Sequence, residues 1–254
     1  MMSEPHHEFR PATGPLSELA EGVWHLRSSA RGSQTIAPDG RCEIILHRAA
    51  PPIEHGADGS STRQPAAFLY GPLTRVLTIE QDADMDVLAI RLHPWAVGAF
   101  TEKPADWRDR LVALPETGVS LTPGTLAEFA SQAESALARF IPPAPAGTVQ
   151  AAIAGMEAGA LSTLESLADA ARLTIRTLDR RFERTTGLTA ALYLRLVRFH
   201  RARNAIKAGA ERLSDVAAEA GYADQAHMTR DFRRFAGETP KLVRRPAAFD
   251  PLYR

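Results

Sequence analysis

Along the second half of the chain, apolar residues recur at helical spacing, and the recurrence is written twice. Leu164, Leu167, Ala168 and Ala171 stand at i, i+3, i+4 and i+7, and Leu213, Val216, Ala217 and Ala220 repeat the spacing 49 residues later. Each set makes one apolar stripe on a short helix. Past the following turn the offset becomes 50, so that Leu178 matches Met228, Phe182 matches Phe232, Gly187 matches Gly237 and Thr189 matches Thr239. Thr174 and Asp224 stand just ahead of the next helical run, where a side-chain oxygen can accept from the first unpaired N–H groups. Each copy therefore reads helix, tight turn, helix, glycine stop.

The first half is patterned differently. Short apolar runs at residues 23–27, 42–48, 66–71, 75–80 and 85–92 are separated by Pro38, Asp39 and Gly40, by Pro51 and Pro52, and by a polar stretch at 56–64. Strands bounded by turn residues suggest an antiparallel sheet or small barrel. Residues 1–15 hold three prolines and little apolar content, and are expected to be a loose arm. A short helix is expected from Trp95. A longer one ends at Phe140, with a stripe of Leu126, Phe129, Ala130, Ala133 and Leu137. That stripe suits either a dimer surface or packing on its own barrel. The segment 141–147, IPPAPAG, reads as a linker, followed by a helix at 149–157. The fold class is α+β, in three parts: a β-rich sensor-like domain at 1–112, a helical connector at 113–158 and an all-α domain at 159–254.

Two helices joined by a tight turn form a helix-turn-helix, whose second helix can lie in the major groove of DNA. With Leu178 and Phe182 facing inward, Arg176 and Arg180 lie roughly 200° around from one or the other, and they and Asp179 are expected to face out. The equivalent outward places in the second copy hold Ala226, Thr229 and Arg230, with Gln225 beside them. Arginine can pair with guanine, glutamine with adenine, and threonine can touch a base or a thymine methyl.

The segment LESLADAARLTIRTLDRRFERTTGLTAALYLRLVRFHRARNAI, followed by LSDVAAEAGYADQAHMTRDFRRFAGETPKLVRR, resembles the DNA-binding domain of the AraC/XylS transcription regulators. The resemblance covers about a third of the chain. It implies two helix-turn-helix units joined by a linker helix at 190–207, and places their recognition helices in successive major grooves about 34 Å apart. The family's Gly, aromatic, acidic, aromatic pattern stands here as Gly221, Tyr222, Asp224 and Phe232, and its closing Pro and Arg as Pro240 and Arg244. Where the family commonly has Pro, Ser, Phe and an aromatic, this chain has Ala190, Ala226, Met228 and Val243. Carried over residue by residue, the base-reading positions are Arg176, Asp179 and Arg180 in the first unit and Gln225, Thr229 and Arg230 in the second. Thr174, Arg181, Arg198, Lys241 and Arg244 are candidates for contacts to the DNA backbone. The segments PDGRCEIIL and YGPLTR loosely resemble the β-barrel sensor domains that precede this domain in many members.

Composition sharpens the division. The formal net charge is zero, yet residues 1–159 hold 12 Lys and Arg against 19 Asp and Glu, a net of −7, and residues 160–254 hold 18 against 11, a net of +7. The basic half is the half with the duplicated motif, which points to nucleic acid as its partner. The partner is then double-stranded DNA; a small-molecule effector, RNA polymerase and a second copy of the chain are further partners that this reading admits. One cysteine, Cys42, can form neither an internal disulfide nor a cysteine zinc site. No signal-like or membrane-spanning run is present, so the cytoplasm is the expected compartment and no membrane partner is expected.

The other residues that could carry chemistry suggest little. His25, His47 and His93 lie in or beside strands without the i, i+2 spacing that puts metal ligands on one face, so half-buried, hydrogen-bonded histidines are expected and no metal or cofactor. Asp82, Asp84 and Asp86 fall at a hairpin. Cys42 lacks the Pro-Cys-His-Arg setting of alkyl-accepting repair proteins that carry an AraC-like domain. No nucleotide-binding glycine loop, GxSxG or HExxH occurs, so no enzyme is expected. The competing account is a β-barrel enzyme or small-molecule-binding protein with a helical interaction module.

Overall fold

The computed structural model describes residues 6–56, 58–141 and 147–243. Its N-terminal strands are β1 (His6–Pro11), β2 (Ala20–Ser28), β3 (Gly32–Ile36), β4 (Glu43–His47), β5 (Ile53–His55), β6 (Ser61–Arg63), β7 (Ala67–Tyr70), β8 (Leu77–Gln81), β9 (Met85–Leu92) and β10 (Leu111–Ala113). They pair antiparallel in two sheets, ordered β1-β2-β9-β4-β7-β10 and β3-β8-β5-β6. β9 sits between β2 and β4 and is buried on both faces. Met85, Val87 and Ala89 meet Trp24, Phe68, Tyr70, Leu77 and Ile79 between the sheets, while Leu88, Ile90 and Leu92 join a second core on the other side. A strand buried on both faces needs apolar residues at nearly every position, hence the run MDVLAIRL.

Residues 6–11, expected as part of a loose arm, form the edge strand β1, in register with β2 from His6↔Arg27 to Pro11↔Gly22. Its side chains are almost all exposed, so no alternation marks it; backbone pairing alone makes the strand. The same reason hides β3 and the hairpin of β5 and β6, whose side chains are exposed or half-buried. The expected hairpin around Asp82 and Asp84 is present, but Asp86 belongs to β9.

Two helices follow, α1 (Leu114–Thr117) and α2 (Leu126–Leu137). A capping box starts α2: the Thr125 hydroxyl accepts from Glu128 N, and the Glu128 carboxylate accepts from Thr125 N at 2.8 Å. Leu126, Phe129, Ala133 and Leu137 are buried in the core on the outer face of the larger sheet. The stripe is thus used within its own domain and is not free to serve as a dimer surface. The proline-rich residues 142–146 lie outside the described residues.

The C-terminal half comprises α3 (Gly147–Ala158), α4 (Leu164–Ala171), α5 (Ile175–Thr186), α6 (Ala190–Lys207), α7 (Leu213–Glu219), α8 (Gln225–Ala236) and α9 (Pro240–Val243). The pairs α4–α5 and α7–α8 are the two helix-turn-helix units, and α6 joins them over the expected residues. One core unites Leu167, Leu178 and Phe182 of the first unit, Val216, Met228 and Phe232 of the second, and Tyr193, Leu196, Phe199 and Ile206 of α6. Because α6 meets neighbours on several sides, its apolar residues form no single stripe. Phe199 packs edge-on to Phe232, centroids 4.9 Å apart at 70°, an arrangement worth about 0.5–1.5 kcal/mol beyond burial. Helix α3 sends Val149, Ala152, Ile153 and Met156 into this same core.

The two halves are in contact. The C-terminal turn of α5 packs on the 3-10 turns Ala96–Ala99 and Pro104–Trp107. His200 on α6 donates through Nε2 to Pro38 O at 2.7 Å. Arg41, between β3 and β4, reaches Glu157 on α3 at 3.0 Å.

Candidate nucleic-acid interface

In each unit the second helix is fixed at both ends. The Thr174 hydroxyl accepts from Thr177 N at 3.2 Å ahead of α5, and the Asp224 carboxylate accepts from His227 N at 2.6 Å ahead of α8. Both helices stop at a glycine in the left-handed region, Gly187 at φ 75° and Gly237 at φ 72°. At Gly187 a Cβ would also lie 2.7 Å from Pro104 O, whereas at Gly237 it would meet only Val76 Cγ1, at 3.6 Å.

The rotation of each helix is set by its buried pair, Leu178 with Phe182 and Met228 with Phe232, all 0% exposed. Arg176 and Arg180 on α5, and Gln225 and Arg230 on α8, consequently stand exposed. Thr229 is half-buried, and its hydroxyl donates to Gln225 O at 2.8 Å. In α8 the buried Asp231 is paired with Arg195 of α6 at 2.5 Å, which ties this helix to the linker.

Asp179 differs from its neighbours. It is half-buried, and its Oδ1 accepts from Ala190 N, the first residue of α6, at 2.9 Å. The equivalent pair in the second unit is Thr229 and Pro240. Proline has no N–H to satisfy, so no acceptor is required there. Asp179 thus compensates for the N–H that Ala190 introduces at the start of the linker helix.

Of the backbone candidates, Thr174, Arg181 and Lys241 are exposed, and Arg181 Nη1 donates to Thr148 Oγ1 at 3.3 Å. Arg198 is half-buried, with Nη2 donating to Ser162 O at 2.5 Å and its side chain alongside Gly221. That contact closes the loop ahead of α4. Arg244 lies outside the described residues. Two further residues belong to the exposed surfaces. Arg233 is exposed and follows Arg230 by three and Thr229 by four, a spacing that continues the outward face of α8. Ile175, the first residue of α5, is a large apolar side chain 37% exposed next to Arg176.

The N-terminal histidines have separate partners. His25 Nε2 meets Asp86 Oδ1 at 2.8 Å, His47 meets Gln64 Oε1 at 3.3 Å, and His93 Nε2 donates to Ser17 O at 3.0 Å while stacking on Trp95. Burial pushes His47 down to about 4. Cys42 is 0% exposed, and burial pushes its thiol up.

Residues 167–246 match a family described as a helix-turn-helix domain, and residues 7–113 match a domain of unknown function (DUF6597). Over 80 residues the chain is 36% identical to the HTH-type transcriptional activator RhaS of Citrobacter koseri and 35% identical to RhaS of Escherichia fergusonii. These matches span 32% of this chain and 29% of each relative, so less than a third of the curated relatives' length is shared. Among solved structures, ToxT from Vibrio cholerae is similar over 87% of this chain and 97% of that chain, at 9% identity and a TM-score of 0.49. The DNA-binding domain of AdpA, solved in complex with a target DNA, is similar over 38% of this chain and 89% of that chain, at 25% identity and a TM-score of 0.36.

Proposed function

We propose, from the premise that residues 167–246 belong to the AraC/XylS helix-turn-helix family, that this chain is a sequence-specific DNA-binding transcription regulator controlled through its N-terminal domain. One observation carries the proposal: two capped recognition helices, each holding exposed arginines outward, are joined through one buried linker helix. Arg176 and Arg180 read bases in the first unit; Gln225, Thr229 and Arg230 read them in the second. Ile175 adds an apolar edge suited to a thymine methyl. Asp179 is a positioning residue, because its carboxylate serves Ala190 N. Thr174, Arg181, Lys241 and Arg233 contact the backbone, and Arg198 supports the loop that presents the first unit. A small-molecule effector acts through the N-terminal half, and a second copy of the chain, if recruited, uses a surface other than the α2 stripe.

The test is selection of genomic fragments by the full-length protein, then titration of enriched sites against random DNA at two salt concentrations. The expected result is a motif of two contact blocks about one helical turn apart. Arg176→Ala and Arg230→Ala should each cost about 1–3 kcal/mol and relax preference at one base position. Salt-sensitive binding without sequence preference would overturn specificity, and no binding at low salt would favour the enzyme or small-molecule-binding account.

A further inference from the structure

A cleft of about 560 Å³ lies where the two halves meet, a size within the roughly 300–1,000 Å³ typical of small-molecule sites. The sandwich interior offers far less. Trp24, Phe68, Tyr70, Leu77 and Met85 fill it, and about 50 Å³ remains beside Tyr70 and Leu77. The cleft between the halves is the roomier of the two.

The polar side of the cleft is a network of ion pairs. Four carboxylates, Glu21, Asp39, Glu43 and Glu157, converge on two guanidiniums. Arg41 meets Glu21 at 2.5 Å and Glu157 at 3.0 Å; Arg91 meets Glu21 at 3.0 Å, Glu43 at 2.7 Å, and Asp39. Burial pushes Glu43, just behind the cleft, up to about 7 despite Arg91. A third guanidinium, Arg201, is turned to Met156 O and Glu157 O at the C-terminal end of α3, where the helix dipole already calls for positive charge. No guanidinium of this wall awaits an anion. One carboxylate oxygen is left over: Glu157, 39% exposed and paired with Arg41, uses only Oε1, which accepts from Arg41 and from the Tyr193 hydroxyl at 2.7 Å. Among the described residues its Oε2 meets no donor.

The rest of the wall mixes polar residues, His7, His200 and Asn204, with apolar and aromatic ones. Phe9 on the edge strand β1 is 44% exposed and Val197 comes from α6. The buried indole N–H of Trp24 leans towards Glu43 but reaches no acceptor within hydrogen-bonding distance. We propose that this cleft binds a small organic cation, a protonated amine on an apolar or aromatic body, with its ammonium at Glu157 Oε2 and its body against Phe9 and Val197. An ammonium beside both a carboxylate and an aromatic face gains from each. The ligand would touch α6, so its presence bears on the spacing of the two DNA-reading units; that consequence rests on the proposed function, and the binding does not.

Calorimetric titration of the full chain with phenethylamine and tyramine tests the proposal, with 3-phenylpropionate as the charge-reversed control. At least one amine should bind and the carboxylate should not. Glu157→Gln, which keeps an acceptor for Arg41 and Tyr193, should weaken the amine at least tenfold, and Phe9→Ala at an exposed edge should weaken it severalfold with unchanged Tm. Binding of the carboxylate instead, failure of both amines, or an affinity unaltered by Glu157→Gln would overturn it. Operator affinity is measured on the same protein without ligand. Loss of specific DNA binding with amine binding intact would sink the regulator and leave the cleft assignment standing.

Discussion

At the scale of single residues, Asp179 shows how an outward-facing position can be claimed by the fold. Expected outward with Arg176 and Arg180, it stands on the flank of α5, about 100° around from Leu178, and the first residue of the linker helix is alanine and brings an N–H that needs an acceptor. Thr189 accepts from Leu192 N, two residues further into the turn, and leaves that N–H to Asp179. Removing the carboxylate should cost about 1–3 kcal/mol, the usual penalty for a polar group deprived of its partner. Ala190→Pro removes the N–H itself, at a first-turn position where proline is well tolerated and after a residue already extended at ψ 154°. Asp179→Ala is therefore expected to destabilise, and Asp179→Ala with Ala190→Pro to recover most of the loss, in urea denaturation of all four combinations. Additive effects would show that the two residues do not act on one another.

Among the elements, both recognition helices, with Thr174 and Asp224 ahead of them, were legible from their apolar spacing and the strand at 85–92 from its continuous apolar run, whereas the linker helix at 190–207, which carries no single stripe, came from the family resemblance. Strands β1, β3 and β6 were not legible, because an edge strand with exposed side chains is held by its neighbour's backbone and leaves no apolar signature, and β5, between β8 and β6, is only three half-buried residues. Nor could spacing reveal that Gly187 abuts the other domain. The two glycine stops look alike in sequence and share a left-handed φ, which costs a substituted alanine about 1 kcal/mol at each. Only Gly187 also faces a backbone oxygen. Gly187→Ala should accordingly lower Tm clearly more than Gly237→Ala; equal losses would mean that the Pro104 contact is soft.

For the whole molecule, the junction between halves should make stability depend on pH. His200, facing Asp39, Arg41 and Arg203, is pushed down to about 4 by burial, and as a neutral ring it donates to Pro38 O. In the unfolded chain the same ring takes a proton below about 6.5. Between those values the unfolded state binds more protons, so stability falls as pH drops from about 6.5 to 4 and the loss levels off below that. Between pH 7 and pH 5 the contribution is about 1–2 kcal/mol. Asp39, where burial opposes ionisation but Arg91 and Arg41 prevail and hold it at about 2, adds a further loss only below pH 4. Thermal unfolding of the protein and of His200→Gln across this range should show the shallower slope in the variant. Parallel curves would place the dependence elsewhere. None of this junction was visible in the order of residues, since Pro38 and His200 are 162 positions apart.

The sealed position of Cys42 has a practical side. It is the one cysteine of the chain, fully enclosed and with a thiol disinclined to ionise, so an alkylating dye finds no native target on the folded protein. Arg184→Cys and Arg234→Cys, at exposed places on the two recognition helices, would then be the labelled sites. A dye pair there turns the separation of those helices into a directly observed distance, followed in one molecule as DNA or an amine is added.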